Sequence, residues 1–292
     1  MKGRFGRAEA GIRTWSGGGK DQKGEEALKY VVFTDMDGTL IDHHTYSYQA
    51  ARPALERIRE EEIPLVICTS KTRAEIEKFR AELGISDPFI SENGGAMFIP
   101  RGYFEVPFPS DKELGEYLVI EQGTSYPILR EVLREVERAT KTEIEGFGDM
   151  TAQKISEDSG LDLVSAALSK MREYDEPFKV VGDGEGAEAV LEEIKKRGLS
   201  CTRGGRYYHI MGKNDKGRAV STLSEIFRRE LGYVATIGVG DSQNDLPMLE
   251  SVDLPVLVQK PDGTYEPVEL EVKRAEGVGP VGWNRALMEI LR

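Results

Sequence analysis

The chain has 292 residues, 39% of them hydrophobic, enough to build the core of one large or two ordinary domains. Its 39 Lys and Arg against 51 Asp and Glu leave a net charge of -12, which argues against nucleic acid or an anionic membrane surface as the main partner. Two isolated cysteines, Cys68 and Cys201, do not make a disulfide framework, and no apolar run approaches spanning length, so the expectation is a cytoplasmic protein.

Residues 1–29 show no hydrophobic periodicity, and Ser16-Gly17-Gly18-Gly19-Lys20 reads as flexible and polar, so this stretch is expected to be a disordered tail. The first strong signal is residues 31–42. Val31, Val32 and Phe33 read as a buried parallel strand, followed by Asp35 and Asp37. In an extended chain positions i and i+2 face the same side, so both carboxylates are expected to meet beyond the strand's C-terminal end, where open α/β sheets bind ligands. Gly38 lets the chain turn away. With no Lys or Arg nearby in sequence, a bound cation is the simplest way to keep both acids ionised.

Ala54, Leu55 and Ile58 then recur at helical spacing behind Pro53, and Pro64–Cys68 is a second buried strand, ending in Thr69-Ser70-Lys71-Thr72. Thr72 and Glu75 have capping-box spacing, opening a helix that buries Ile76, Phe79 and Leu83 and stops at Gly84. Strand-like Phe89-Ile90-Ser91 leads into Glu92-Asn93-Gly94-Gly95. This alternation predicts the α/β class with a doubly wound parallel sheet.

From about residue 109 the texture changes. A strand at Tyr117–Glu121, a helical stripe from Ile128 to Val136, short helices near 151–158 and 162–173, and a strand at Phe178–Val181 follow. A helix through Val190 and Ile194 precedes Leu199–Arg203 and Arg206–Met211, which flank Gly204-Gly205 as a two-residue hairpin. These antiparallel signals predict an α+β domain, residues 109–210, inserted into a core made of 30–108 and 211–292. The parallel pattern resumes with a helix from about Lys216, a strand at Val234–Val239 ending in Gly240-Asp241-Ser242-Gln243-Asn244-Asp245, a strand at Leu254–Val258, and a last helix from about Asn284.

Asp35-Met36-Asp37-Gly38 lacks the glycine and glutamate spacing of an EF-hand calcium loop. Gly182-Asp183-Gly184-Glu185-Gly186-Ala187 mimics a dinucleotide fingerprint, but its acids would repel a pyrophosphate. Thr69 and Ser70 taken alone read as helix caps, and Lys216 has Lys213 as a nearby rival. His43, His44 and His209 lack metal-ligand spacing and read as solvated or hydrogen-bonded structural residues.

Taken together, Asp35-Met36-Asp37-Gly38-Thr39, Thr69, Lys216 and Gly240-Asp241-Ser242-Gln243-Asn244-Asp245 resemble the four motifs of the haloacid dehalogenase superfamily. The resemblance implies a phosphohydrolase in which Asp35 attacks phosphorus and Asp37 handles protons. It further implies Mg²⁺ held by Asp35, the backbone carbonyl of Met36 or Asp37, Asp241 and a phosphate oxygen, with Thr69 or Ser70 on the phosphoryl oxygens. Lys216 would neutralise charge, and Asn244 and Asp245 would support it. The insertion between the second and third motifs resembles the type IIB cap. Stretches such as Thr69-Ser70-Lys71-Thr72-Arg73, Gly146-Phe147-Gly148-Asp149-Met150 and Gly204-Gly205-Arg206-Tyr207-Tyr208-His209 resemble the mannosyl-3-phosphoglycerate phosphatase family. A phosphorylated glycoside is the implied partner. Arg206 is the candidate clamp for its carboxylate, with Lys71, Thr72, Asn93, Gln122, Asp149 and Arg172 as further substrate contacts. A glucosyl-3-phosphoglycerate phosphatase, a phosphomutase of the same superfamily and a non-enzymatic binding module are the alternatives.

Overall fold

Val31 and Phe33 point to one side of their strand and Val32 to the other, and all three are fully buried, as a strand covered on both faces requires. In the computed structural model, which describes residues 28–182, 186–203 and 206–292, this strand is an interior strand of a nine-stranded sheet. The elements in order are β1 (Lys29–Thr34), α1 (Arg52–Glu60), β2 (Leu65–Cys68), α2 (Arg73–Leu83), β3 (Phe89–Ser91), β4 (Ala96–Pro100), β5 (Lys112–Leu114) and β6 (Tyr117–Glu121). Next come α3 (Tyr126–Thr140), β7 (Ile144–Gly146), α4 (Ala152–Ser159), α5 (Leu163–Ser169), β8 (Asp175–Val180), α6 (Ala187–Lys196), β9 (Ser200–Arg203) and β10 (Tyr208–Met211). The chain continues through α7 (Lys216–Leu231), β11 (Val234–Gly240), α8 (Leu246–Glu250), β12 (Leu254–Gln259), β13 (Lys273–Val278) and α9 (Pro280–Ile290).

The large sheet runs β13-β12-β11-β1-β2-β3-β4-β6-β5, parallel from β13 to β3 and antiparallel beyond. One face packs on α1, α2 and α9, the other on α7 and α8. Trp283 of α9 is fully buried, and its indole N–H donates to Thr34 Oγ1 (2.9 Å), which in turn donates to the Asp35 carbonyl (2.8 Å). The helix layer thereby fixes the chain at the end of β1. A second sheet, β7-β8-β10-β9, is wholly antiparallel and is covered by α3 and α6, with α4 and α5 on their own small core.

Several expectations need correction. The strands of 112–121 pair with β4 in the large sheet, so the change of sheet comes at about residue 122 and not at 109. Alternating patterns look alike in either sheet, and only the pairing partner distinguishes them. Lys29 belongs to β1, while residues 1–27 of the expected tail lie outside the described residues. β9 ends at Arg203 and β10 begins at Tyr208, so Arg206 and Tyr207 are not part of the strand expected for them, and Gly204-Gly205 lie outside the described residues. Residues 183–185 of the fingerprint-like run are likewise outside them. The last helix begins at Pro280, because proline at its first position supplies the helical φ without losing a needed N–H. β13 went unnoticed because its residues are mostly polar and only Ala275 is buried.

Candidate active site

The pairing of β1 with β11 ends with the Asp35 N–H on the Val239 carbonyl (2.9 Å), and the Met36 carbonyl then accepts from the N–H groups of Thr39 (3.1 Å) and Ile41 (2.9 Å), forming a tight turn. Gly38 makes the turn at φ +76°, and a Cβ there would sit 2.9 Å from an Asp241 carboxylate oxygen. Beyond Asp35 the chain is no longer extended, and the Asp37 carboxylate lies outside the cluster that Asp35 forms with Asp241 and Asp245, beside Lys71 instead.

Asp35 faces inward. Lys216, at the first turn of α7, is 1% exposed, and its Nζ lies 2.6 Å from Asp35 Oδ1 and 2.6 Å from Asp245 Oδ1. Lys213, its sequence rival, is exposed. Asp245 is anchored through its other oxygen, which accepts from the Asp241 and Ser242 N–H groups (3.0 Å each) and the Ser242 hydroxyl (3.1 Å). Thr39 donates to Asp241 (3.3 Å). Oxygens of Asp35, Asp241 and Asp245 all lie within 4.8 Å of one another. Burial first, and then the Asp245 carboxylate, push the Asp35 carboxyl well above its usual range and Asp241 up to about 7. Burial disfavours the Lys216 ammonium, but Asp245 and Asp35 outweigh it and hold its pKa above the ordinary value.

One buried ammonium thus faces three carboxylates. This under-neutralised set of hard oxygen donors fits a divalent cation such as Mg²⁺. Asp35 and Asp241 are the side-chain donors best placed for it, since both Asp245 oxygens already accept hydrogen bonds. Asp37 does not join with its carboxylate. With the Met36 carbonyl doubly occupied, the Asp37 carbonyl is the backbone donor left at the turn.

Asp37 faces a cavity of about 160 Å³ between the two sheets, shared with Tyr46, Ser70, Lys71, Arg172 and His209. Its Oδ2 lies 3.0 Å from Lys71 Nζ, while its Oδ1 is buried without a protein partner. Burial opposes the Lys71 charge, yet Asp37 and Glu75 together keep its pKa raised. Thr69 is 1% exposed, and its hydroxyl accepts from the Lys71 N–H (3.4 Å). Ser70 lines the cavity, and its carbonyl takes Arg172 Nη1 (2.8 Å). A larger cleft of about 890 Å³ between α2 and the β4–β5 side contains none of these groups.

The other expected contacts divide. Asn93, at φ +55°, bridges Asp175 (3.4 Å) and Asn244 (3.2 Å) beside the site. Thr72 is consumed as the cap of α2, bonded to Glu75 and to the Leu168 carbonyl (3.0 Å each). Gln122 donates to Thr222 on α7 (3.0 Å), on the far side of the junction. Asp149 pairs with Arg130, which also holds the buried Glu176 (2.6 Å), and this pairing keeps the Asp149 carboxyl below its usual range. Arg206 is exposed and donates to the Asp158 carbonyl. Of the seven expected substrate contacts, Lys71 and Arg172 line the cavity and Asn93 stands beside it.

The sequence reading overlooked Glu92, whose buried carboxyl accepts from the N–H groups of Glu173 and Tyr174 and is pushed up to about 8 by burial. A glutamate in a polar run carries no sequence signal of burial. It also took His209 as merely structural, although this residue alternates with half-buried Tyr208 and buried Ile210 along β10. That alternation is the signal that marks its opposite face.

The model of the haloacid dehalogenase-like hydrolase family matches residues 32–113 and 130–262. A protein of Methanococcoides burtonii named glucosyl-3-phosphoglycerate/mannosyl-3-phosphoglycerate phosphatase is 55% identical, the match covering 90% of this chain and 98% of that protein. A Persephonella marina protein of the same name is 43% identical, covering 89% and 97%. Among solved structures, a phosphatase of the haloalkanoate enzyme superfamily from Bacteroides thetaiotaomicron superposes with a TM-score of 0.62 at 18% identity, covering 90% and 94%, and shares the fold. The match over most of the chain, joined to Asp35, Lys216, Asp241 and Asp245 gathered at the strand ends, shows that this chain belongs to the haloacid dehalogenase-like hydrolase family.

Proposed function

We propose that the chain is a Mg²⁺-dependent phosphatase that converts mannosyl-3-phosphoglycerate to mannosylglycerate, a compatible solute, and phosphate. The observation that carries this reading is the Lys216 ammonium locked 2.6 Å from both Asp35 and Asp245 at the C-terminal ends of β1 and β11. This arrangement holds an Asp35 oxygen fixed and ready to attack. The attack forms an Asp35–phosphorus bond and breaks the bond from phosphorus to the glyceryl oxygen. Asp37 delivers a proton to that leaving oxygen and then takes one from the water that releases phosphate from Asp35. Lys216 offsets the charge shared by nucleophile and phosphoryl group, and Thr69 or Ser70 donates to the phosphoryl oxygens. Asp35, the Asp37 carbonyl and Asp241 would hold Mg²⁺, which would supply Lewis-acid stabilisation of the phosphoryl oxygens.

The α3–β10 unit acts as the cap of type IIB members. It brings Arg172 over Ser70, and in closing it excludes water from the site. A cytoplasmic location agrees with the finding that no helix among the described residues is long and apolar enough to cross a membrane. A second reading, that the glucosyl counterpart is also hydrolysed, is favoured by the two relatives at 55% and 43% identity, whose names carry both substrates.

Phosphate release with Mg²⁺ from both glycosyl-phosphoglycerates, sugar monophosphates and p-nitrophenyl phosphate tests the reading. The expected result is the highest kcat/KM on the mannosyl or glucosyl ester, abolished by Asp35→Asn. Preference for a simple sugar phosphate refutes the substrate, and activity surviving in Asp35→Asn refutes the chemistry.

A further inference from the structure

Pairing in the second sheet sets His209 opposite Pro177 and Met211 opposite Asp175. Residues directly opposite in an antiparallel pair share a face, so His209, Pro177 and Asp175 lie together. Tyr208, Ile210 and Phe178 take the other face and pack with α3 and α6. His209 therefore belongs to the face of the inserted unit that looks toward the core. It lines the cavity that holds Asp37, beside the rings of Phe147 and Tyr207, which meet edge to face at 4.9 Å.

The ring is held in one orientation. Its Nδ1 lies 3.1 and 3.0 Å from the two oxygens of Asp175, a carboxylate with no solvent exposure. A carboxylate only accepts, so the Nδ1 proton is committed to Asp175 and Nε2 is left for the cavity. Asp175 also accepts from Asn93 Nδ2 (3.4 Å), and Asn93 Oδ1 accepts from Asn244 Nδ2 (3.2 Å). Asn244 Oδ1 takes the Ser242 hydroxyl (2.7 Å), within the loop whose Asp245 grips Lys216. A continuous chain of hydrogen bonds thus ties the ring on the inserted unit to the motif loop of the core. Asp175 and Asn93 act as its positioning residues.

We propose that His209 is the contact for the sugar of the glycosylated phosphoester, its Nε2 hydrogen-bonding a sugar hydroxyl while Phe147 and Tyr207 face the sugar ring's apolar edge. This rests on the reading that the substrate is a glycosyl-phosphoglycerate. With Nδ1 committed to Asp175, Nε2 is the ring nitrogen left to meet a sugar hydroxyl, which can both donate and accept. Lys71 and Arg172 in the same cavity are the groups with charge to meet the glycerate carboxylate.

The test compares wild type, His209→Asn and His209→Gln on mannosyl-3-phosphoglycerate and on p-nitrophenyl phosphate, a phosphoester without a sugar. Asn keeps a donor toward Asp175 and removes the distal nitrogen, whereas Gln places an amide at the distal position. The expected result is that His209→Asn lowers the ratio of kcat/KM for the glycosyl ester to that for p-nitrophenyl phosphate about tenfold, mainly through KM. His209→Gln recovers part of that loss. A His209→Asn ratio equal to wild type, or recovery by Asn and not by Gln, shows a structural role and overturns the proposal. Wild type that turns over p-nitrophenyl phosphate but neither glycosyl ester refutes the substrate reading itself, an outcome separate from the behaviour of the variants.

Discussion

Replacing Lys216 by Met keeps an unbranched side chain one atom shorter and removes its charge. In the structure that charge is fully buried, 2.6 Å from Asp35 and 2.6 Å from Asp245, with Asp241 alongside. Removing one partner of a buried ion pair costs about 3–5 kcal/mol, because the remaining charge is left uncompensated. Here two carboxylates lose their partner, although the N–H groups on Asp245 soften the loss on that side. At roughly 2–4 °C per kcal/mol for a domain of this size, Lys216→Met should melt about 10 °C below wild type in EDTA. Saturating Mg²⁺ should narrow the gap, because the variant, with one positive charge fewer beside the same carboxylates, binds the cation more tightly than wild type does. Circular-dichroism melts of both proteins with EDTA and with Mg²⁺ provide the assay. A Lys216→Met protein that melts within about 2 °C of wild type in EDTA would refute the view that this lysine neutralises the site.

Glu92 gives a prediction in pH. Burial raises its folded-state value to about 8, above the ordinary glutamate value of 4.5, with the nearby Arg172 opposing the shift. The folded protein thus binds a proton that the unfolded chain releases, so this contribution to stability is complete below about pH 4.5 and is lost as pH rises through 8. Between about pH 6 and pH 8 wild type should lose about 2 kcal/mol more stability than Glu92→Gln in urea titrations; equal slopes would show that the carboxyl is ionised throughout. Gly94 stands at φ +85°, where a Cβ would lie 2.1 Å from the Asp215 carbonyl oxygen. Gly94→Ala should cost more than about 2 kcal/mol and lower turnover by displacing the start of α7, and a wild-type urea midpoint with wild-type turnover would show that the junction has room.

Much of the core site was legible because its chemistry sits at the ends of buried apolar runs. Asp35 and Asp241 follow β1 and β11, and Lys216 opens a helix with an Asp215 cap. The partner of Asp37 was not legible, since Lys71 is remote from it in sequence. The inserted unit was legible as antiparallel structure but its border was not, because β5 and β6 carry patterns that either sheet accepts. Asp149 and Gln122 looked available only because their partners are remote in sequence. Arg130 is 19 residues from Asp149, and Thr222 is 100 from Gln122.

The account rests on Asp35 as the group that takes the phosphoryl. Its most direct test is a rapid acid quench of a single turnover with Mg²⁺ and radiolabelled mannosyl-3-phosphoglycerate, followed by peptide mapping, in wild type and in Asp37→Asn. The account predicts label on the peptide carrying Asp35, accumulating in the Asp37→Asn protein where release by water is slowed. Steady release of phosphate with no protein-bound label in either protein would contradict it.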